Sequence, residues 1–174
     1  MPVKSLDKSA QEVQPQVRTV YRIRKARTAD WPDILRLQSL NNRPARRDSI
    51  VSDYFVAFVS DELVGSCAIR ANADAGYLYG LVVSRQWRKR GIGHALTSEC
   101  LGHLQSSQVR KVLALAMFWN IRFFRKHGFS VIKRTSLPND AAIHHDFSED
   151  WSRRSTLLCV DFSTHCSKPT GTGS

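Results

Sequence analysis

The sequence predicts an α/β (α+β) fold. Leu81-Val-Val83 reads as a buried strand that runs into a basic stretch, Arg85 to Arg90, then Gly91-Ile-Gly93, then a helix. Short apolar runs rich in β-branched and aromatic residues recur on both sides of that unit, as strands do. Segments with apolar residues at helical spacing alternate with them, so helices must cover sheet faces.

Each element follows in order. Residues 1–20 are polar and read as a flexible N-terminal arm. Tyr21-Arg-Ile-Arg-Lys25 alternates as a strand. Asp30 is placed to cap a helix with Pro32 in its first turn, and Ile34, Leu37 and Leu40 make its buried stripe. Asn41 to Asp53 is polar and basic, a loop or short helix. Tyr54–Val59 and Leu63–Ile69 flank Ser60-Asp-Glu62 and predict a hairpin with a three-residue loop. A second turn over Ala71–Gly76 leads into a strand from Tyr77 to Val83. Ile92, Ala95, Leu96, Cys100 and Leu104 recur at helical spacing, and that helix runs to about Gln105. A strand near Lys111–Met117 and a helix over Asn120–Lys126 follow, the latter stopped by Gly128. Phe129–Arg134 and Ser155–Asp161 are the last strands, separated by a long polar loop from Leu137 to Arg153. Residues 163–174 are rich in Gly, Ser, Thr and Pro and read as a disordered tail, which leaves 21–162 as one domain.

Composition narrows the function classes. No apolar run approaches the roughly 20 residues of a membrane helix, and the first 20 residues lack the apolar centre of a signal peptide. Four scattered cysteines form no Cys-x-x-Cys pair, so no metal site is expected and a cytoplasmic protein with reduced thiols fits. His144-His145-Asp146 reads as surface loop, because adjacent histidines do not easily share one ion. His94 and His127 read as structural helix residues. The formal net charge of +11 favours anionic partners such as phosphates. The charge is dispersed rather than gathered in one run, so nucleic acid stays open as a partner but is not favoured.

The strand–glycine turn–helix unit is an anion cradle. A helix that starts at such a turn presents free N–H groups and the positive end of its dipole. Arg85, Arg88, Lys89 and Arg90 add charge there, and Gly91 and Gly93 let the backbone approach a ligand. The chain has no P-loop run, and Leu96 stands where the dinucleotide fingerprint needs its third glycine. What remains is Arg88-x-x-Gly91-x-Gly93 after a strand.

That run resembles the pyrophosphate loop of the GNAT acetyltransferase superfamily, Gln/Arg-x-x-Gly-x-Gly/Ala. Trp119-Asn-Ile-Arg-Phe-Phe-Arg-Lys-His-Gly-Phe129 resembles the family's later helix, which opens on Asn and closes on Gly-Phe, and Ile23 to Leu35 resembles its opening strand and first helix. The resemblance covers about Tyr21 to Phe162 and implies the GNAT fold: a mixed, mostly antiparallel, six- to seven-stranded sheet with helices on both faces. It implies acetyl-CoA as acyl donor and a primary amine as acceptor. It places the pantetheine arm on the backbone of Leu81 and Val83, and an oxyanion donor near Val82. The pyrophosphate falls to the amides of Arg88, Lys89, Arg90, Gly91, Ile92 and Gly93, and the cofactor arm to Asn120 and Phe124. A homodimer stays open, since the family often dimerises.

The usual acid/base groups are missing. Where many relatives carry a carboxylate before the cradle, this chain has Tyr77 and Tyr79; where they carry a Tyr before the helix-ending Gly, it has Phe124. Tyr79 is the best remaining side chain to assist, and direct attack of the amine is expected, because no cysteine has a readable His partner. Phe123-Phe124…Gly128-Phe129, then Leu137-Pro138 and the strand Thr156–Asp161, resemble the end of the acetyltransferase domain of N-acetylglutamate synthases. This leans toward a small amine or amino acid as acceptor, with Arg70, Arg122 and the group Arg43, Arg46 and Arg47 as partners for carboxylates. The alternatives are an acetyltransferase for a protein amine or aminoacyl-tRNA, and a catalytically silent basic module that binds CoA or nucleic acid. The acceptor, the acyl length, the acid/base residue and the oligomeric state are not legible in the sequence.

Overall fold

The computed structural model describes residues 19–42, 49–72, 75–136 and 154–163. Among the described residues seven strands form one mixed sheet: β1 (Arg22–Lys25), β2 (Tyr54–Val59), β3 (Glu62–Asn72), β4 (Ala75–Val83), β5 (Lys111–Ala116), β6 (Ser130–Val131) and β7 (Thr156–Asp161). Their order is β1-β2-β3-β4-β5-β7-β6, and every pair is antiparallel except β4 with β5. Helix α1 (Trp31–Leu40) covers one face; α2 (Ile92–Ser106) and α3 (Ile121–Arg125) cover the other.

Side-chain alternation explains the layering. Phe55, Ala57, Val64, Cys67, Ile69 and Leu78 point to the α2 face and bury Ile92, Leu96, Cys100 and Leu104. Tyr54, Val56, Phe58 and Ala68 point the other way and bury Ile34 of α1. Farther along that second face, Ala75, Tyr77, Leu113, Leu157 and Cys159 form their own cluster.

Several boundaries differ from the sequence reading. Asp30 holds the N-cap position of α1 but makes no side-chain capping bond there: it ends a 3-10 turn, Thr28–Asp30, and its carboxylate accepts from the Arg24 guanidinium at 2.6 and 2.8 Å and from the Arg27 amide at 2.6 Å. The β2–β3 turn is Ser60-Asp61, with Glu62 already in the strand and Ser60 at φ 51°. Strands β3 and β4 extend to Asn72 and from Ala75, so the broad turn expected over Ala71–Gly76 shrinks. The strand expected over Phe129–Arg134 is only Ser130–Val131, and α3 starts at Ile121 after a 3-10 turn, Phe118–Asn120. The arm over 1–18, the loop over 137–153 with His144, His145 and Asp146, the arginines 43, 46 and 47, Cys166 and the tail over 164–174 lie outside the described residues.

One irregularity organises β4. Between the pairs Ser66↔Val82 and Ala68↔Tyr79, β4 spends one residue more than β3, a β-bulge. Gly80 sits there at φ 59°, in the left-handed region that suits glycine. A Cβ at this position would also lie 3.2 Å from Tyr54 Cε1 and 3.3 Å from Gln38 Nε2. The bulge flips the alternation, so Leu78, Leu81 and Val83 all face α2, while Tyr79 faces α1. Gln38 of α1, 1% exposed, reaches through the core to pin it. Its Nε2 donates to Gly80 O at 2.7 Å and to Ser66 Oγ at 2.9 Å.

Helices α2 and α3 meet through two histidines. His94 Nδ1 and His127 Nε2 are 2.9 Å apart, and the rings stack with centroids 4.9 Å apart beside Phe123. Burial, then the nearby His94, lowers the His127 pKa.

Two outcomes are expected. Gln38→Ala removes the shorter of the two hydrogen bonds to Gly80 O, leaving it the 3.4 Å bond from Ser66 Oγ, and takes from Ser66 Oγ the donor at 2.9 Å; Gly80→Ala forces a Cβ into a left-handed turn. Each should cost about 1–3 kcal/mol of stability in urea or thermal unfolding; a loss under about 0.5 kcal/mol in both would deny the bulge its anchoring role. For His127 the folded pKa lies below the unfolded value of about 6.5, so the unfolded chain binds more protons as pH falls past that value. Melting temperature should drop between roughly pH 7 and pH 5, and His127→Gln should flatten that portion of the curve.

Candidate functional site

The parallel pair β4–β5 holds only from Ala75↔Lys111 to Leu78↔Ala114. Beyond that the strands part, and a cleft of about 680 Å³ opens between them. It runs from the start of α2 to Tyr77 and Tyr79, with Trp119, Asn120, Phe123 and Phe124 along the β5 side. The bulge causes the parting, since an extra residue in β4 cannot be matched by β5.

Strand alternation assigns the open edge. The Ser84 amide donates to Val64 O at 2.8 Å, and Val82 O lies against Gly65, so the peptide groups of Val82 face β3. Those of Leu81 and Val83 face the cleft, and Val83 O accepts from Arg88 Nε at 3.0 Å. The expected oxyanion donor at Val82 thus points the wrong way; the Leu81 N–H is the one on the open edge.

The loop between β4 and α2 is held from outside. Glu62 accepts from Gln86 Nε2 at 3.1 Å and from Trp87 Nε1 at 3.2 Å. Arg88 also donates to Asn41 Oδ1 at 2.6 Å, so its side chain clamps the loop to α1's end rather than reaching freely into the cleft. Arg90 stacks over Trp87 at 5.1 Å and donates to Thr19 Oγ1 at 3.2 Å. Lys89 at φ 62° and Gly91 at φ 84° turn the chain sharply. Gly91 is the N-cap of α2 and supplies no capping side chain, so the first amides of the helix, Ile92, Gly93 and His94, have no side-chain cap. An anion suits that place, and Lys89 and Arg90 are exposed there. A Cβ on Gly93 would make only ordinary contacts, at 3.6 Å from Phe123, so this glycine leaves surface clear rather than relieving strain.

Asn120 precedes α3, yet its side chain makes no capping hydrogen bond and lines the cleft instead. Phe124, 6% exposed, packs edge-on against Phe123 and Phe129. It offers no proton. Phe118 and Trp119 stand exposed at 75% and 59% at the rim, in a T-shaped pair that the sequence reading did not single out.

On the far face, Tyr79 lines the cleft and donates from Oη to Asp53 Oδ2 at 2.6 Å. The same oxygen accepts from Arg70 at 2.8 Å, so Arg70 is tied into an ion pair. Burial, then the hydrogen bond to Asp53, pushes the Tyr79 phenol far above its ordinary range. Tyr79 keeps its proton and does not act as a free phenolate. Asp53 was not singled out from sequence; it sits at the end of a polar stretch that gives no signal of pairing with strands β3 and β4. Arg122, the other expected carboxylate partner, is exposed. Cys67, Cys100 and Cys159 are buried, and none lines the cleft. Among the described residues no group of His, Cys, Asp and Glu has metal-binding geometry, and no helix is long and apolar enough to cross a membrane.

The comparisons with known proteins agree with this geometry. A curated relative, an uncharacterised N-acetyltransferase of Chlorobaculum tepidum, is 28% identical over 89 residues, which is 51% of this chain and 56% of the relative. The chain thus spans about half the length of the curated relative it matches. The fold is that of the N-acetylglutamate synthase of Neisseria gonorrhoeae, complexed with coenzyme A and N-acetyl-glutamate. The TM-score is 0.71 at 22% identity, over 82% of this chain and 35% of the synthase. It is also that of Rv2747 from Mycobacterium tuberculosis, in complex with CoA and NLQ. There the TM-score is 0.67 at 21% identity, over 81% of this chain and 99% of that one. The model of the Acetyltransferase (GNAT) family matches residues 18–129, well over half of the sequence, and the chain belongs to that family.

Proposed function

We propose that the protein transfers an acetyl group from acetyl-CoA to a primary amine by direct attack in a ternary complex, in the cytoplasm. The observation that carries this is the parting of β4 from β5 beside the Gly91 turn. It offers an unpaired strand edge for an amide-bearing arm and an uncapped helix start for its phosphates. Bound there, acetyl-CoA supplies the thioester carbonyl.

The chain's own residues do the remaining work. The amides at Gly91, Ile92 and Gly93, helped by Lys89 and Arg90, hold the pyrophosphate. Arg88 acts at one remove by fixing the loop to Val83 and Asn41. The peptide groups of Leu81 and Val83 run beside the pantetheine arm, and Asn120 meets it from the other wall. The Leu81 N–H stabilises the negative charge that develops on the carbonyl oxygen. Phe124 packs and does not protonate the leaving group; a thiol with a pKa of about 8.5 is expelled as a thiolate without an acid and then takes its proton from water, so this loss is tolerable. The acceptor is a small amine or amino acid. This is supported by the fold shared with a synthase complexed with N-acetyl-glutamate.

A catalytically silent module is favoured by Phe124, by Tyr77 and Tyr79 at the carboxylate positions and by the net charge of +11. A screen over amines, amino acids, peptides and aminoacyl-tRNA, read by release of free thiol, separates the two. Turnover with any acceptor removes the silent reading, and the acceptor used identifies the class.

Titration calorimetry should find saturable binding of both acetyl-CoA and CoA; no binding to the wild type overturns the proposal. Gly91→Ala, forced to φ 84°, should weaken that binding about tenfold, since left-handed backbone costs a side-chain residue about 1–2 kcal/mol. Burial pushes the Cys67 and Cys159 thiols up, which disfavours the thiolate. Changing Cys67, Cys100 or Cys159 singly to Ala should therefore leave turnover within a few-fold in folded protein. Ping-pong kinetics, or an acetyl-enzyme lost with one cysteine, would overturn direct attack.

A further inference from the structure

The family's carboxylate position before the cradle is Tyr here, yet a carboxylate stands directly behind it. We propose that Asp53 is the terminal base of the reaction, acting through the Tyr79 hydroxyl as a two-step proton relay. The inference rests on the acetyl-transfer reading given above.

The geometry is a line from the cleft to a half-buried acid. Tyr79 lines the cleft, and its hydroxyl donates to Asp53 Oδ2 at 2.6 Å. A phenol oxygen that donates its own proton can still accept one. The Asp53 side chain is 12% exposed, and Arg70 balances its charge at 2.8 Å. Among the described residues Asp53 meets Arg70 from β3 and Tyr79 from β4, and Tyr54 at the start of β2 adjoins the Tyr79 phenol. The nearby turn Thr28–Asp30 carries Asp30, which is already satisfied by Arg24 and the Arg27 amide. Two edge-on aromatic contacts, Trp31 on Tyr54 and Tyr54 on Tyr79, hold the phenol in line.

The proton balance closes. The acceptor ammonium gives one proton to Tyr79 Oη as the phenol proton passes to Asp53 Oδ2. The freed lone pair forms the N–C bond, and the C–S bond breaks with its electrons on sulfur. The second proton lost on amide formation reaches the thiolate through water, so CoA leaves as the thiol. The proton on Asp53 returns to solvent. Tyr79 is neutral before and after, as its raised pKa requires. Tyr79 thus meets the substrate, and Asp53 takes the proton through it.

The test measures kcat against pH for wild type, Asp53→Asn, Asp53→Glu, Tyr79→Phe and the double variant, with acetyl-CoA affinity measured by calorimetry in each. Asp53→Asn should lower kcat at neutral pH on the order of 10²-fold. The loss should shrink as pH rises and the acceptor becomes neutral unaided, while acetyl-CoA affinity stays. Asp53→Glu should recover part of the rate. Tyr79→Phe should lose about as much as Asp53→Asn, and the double variant no more than the worse single, because the two act as a unit. An Asp53→Asn enzyme with an unchanged profile, a loss of the same size at every pH, or losses that add in the double variant would overturn the relay. Failure of the wild type to turn over any amine overturns the underlying reading, and the relay with it; wild-type turnover with an unaffected Asp53→Asn overturns the relay alone.

Discussion

The hydrogen bond from Gln38 to the Gly80 carbonyl is the constraint on which the rest of the site depends. A bulge in a central strand leaves peptide groups without ladder partners, and buried peptide groups without partners are costly. Gln38 satisfies one of them and Ser66 shares the same amide, so the irregularity survives in the core. Everything at the cleft follows. The extra residue stops β5 from pairing past Leu78 and turns the edge of Leu81 and Val83 outward, while Leu81 and Val83 return to the face of Leu78.

The two ends of the cleft are built by different physics. At the α2 end, the loop's shape comes from backbone left-handed at Lys89 and Gly91, while its position comes from Glu62 and Asn41, which belong to other elements. The positive charge of Arg88 is partly spent on this clamping, so the anion-binding character rests more on the backbone amides and on Lys89 and Arg90. At the far end a half-buried carboxylate, a guanidinium and a phenol satisfy one another. Burial makes each of these bonds stronger than it would be in water, and makes the loss of any one partner expensive.

The His94–His127 contact joins these themes. It ties α3 to α2 on the sheet face that carries the cleft, and His94 itself lines the cleft. A sequence reading treats two histidines 33 residues apart as unrelated helix residues. Only packing against Phe123 brings them to hydrogen-bond distance.

Local pattern determined a good deal by itself. Alternation marked β1, short apolar runs marked β2, the centre of β3 and β7, helical spacing marked α2, and Gly91 with its basic neighbours marked the anion cradle, because these signals arise from neighbours in sequence. The tertiary structure decided what local pattern cannot carry. Strand periodicity assumes an unbroken pleat, so it cannot see that a bulge at Gly80 transfers the open-edge amide from Val82 to Leu81. Capping propensity places Asp30 at α1, but a stronger charged partner, Arg24, takes its carboxylate. Asp53 is 26 residues from Tyr79, and only the β2–β3–β4 register makes them partners. Contacts of that separation are set by how faces pack, and a linear pattern holds no record of the angle at which two faces meet.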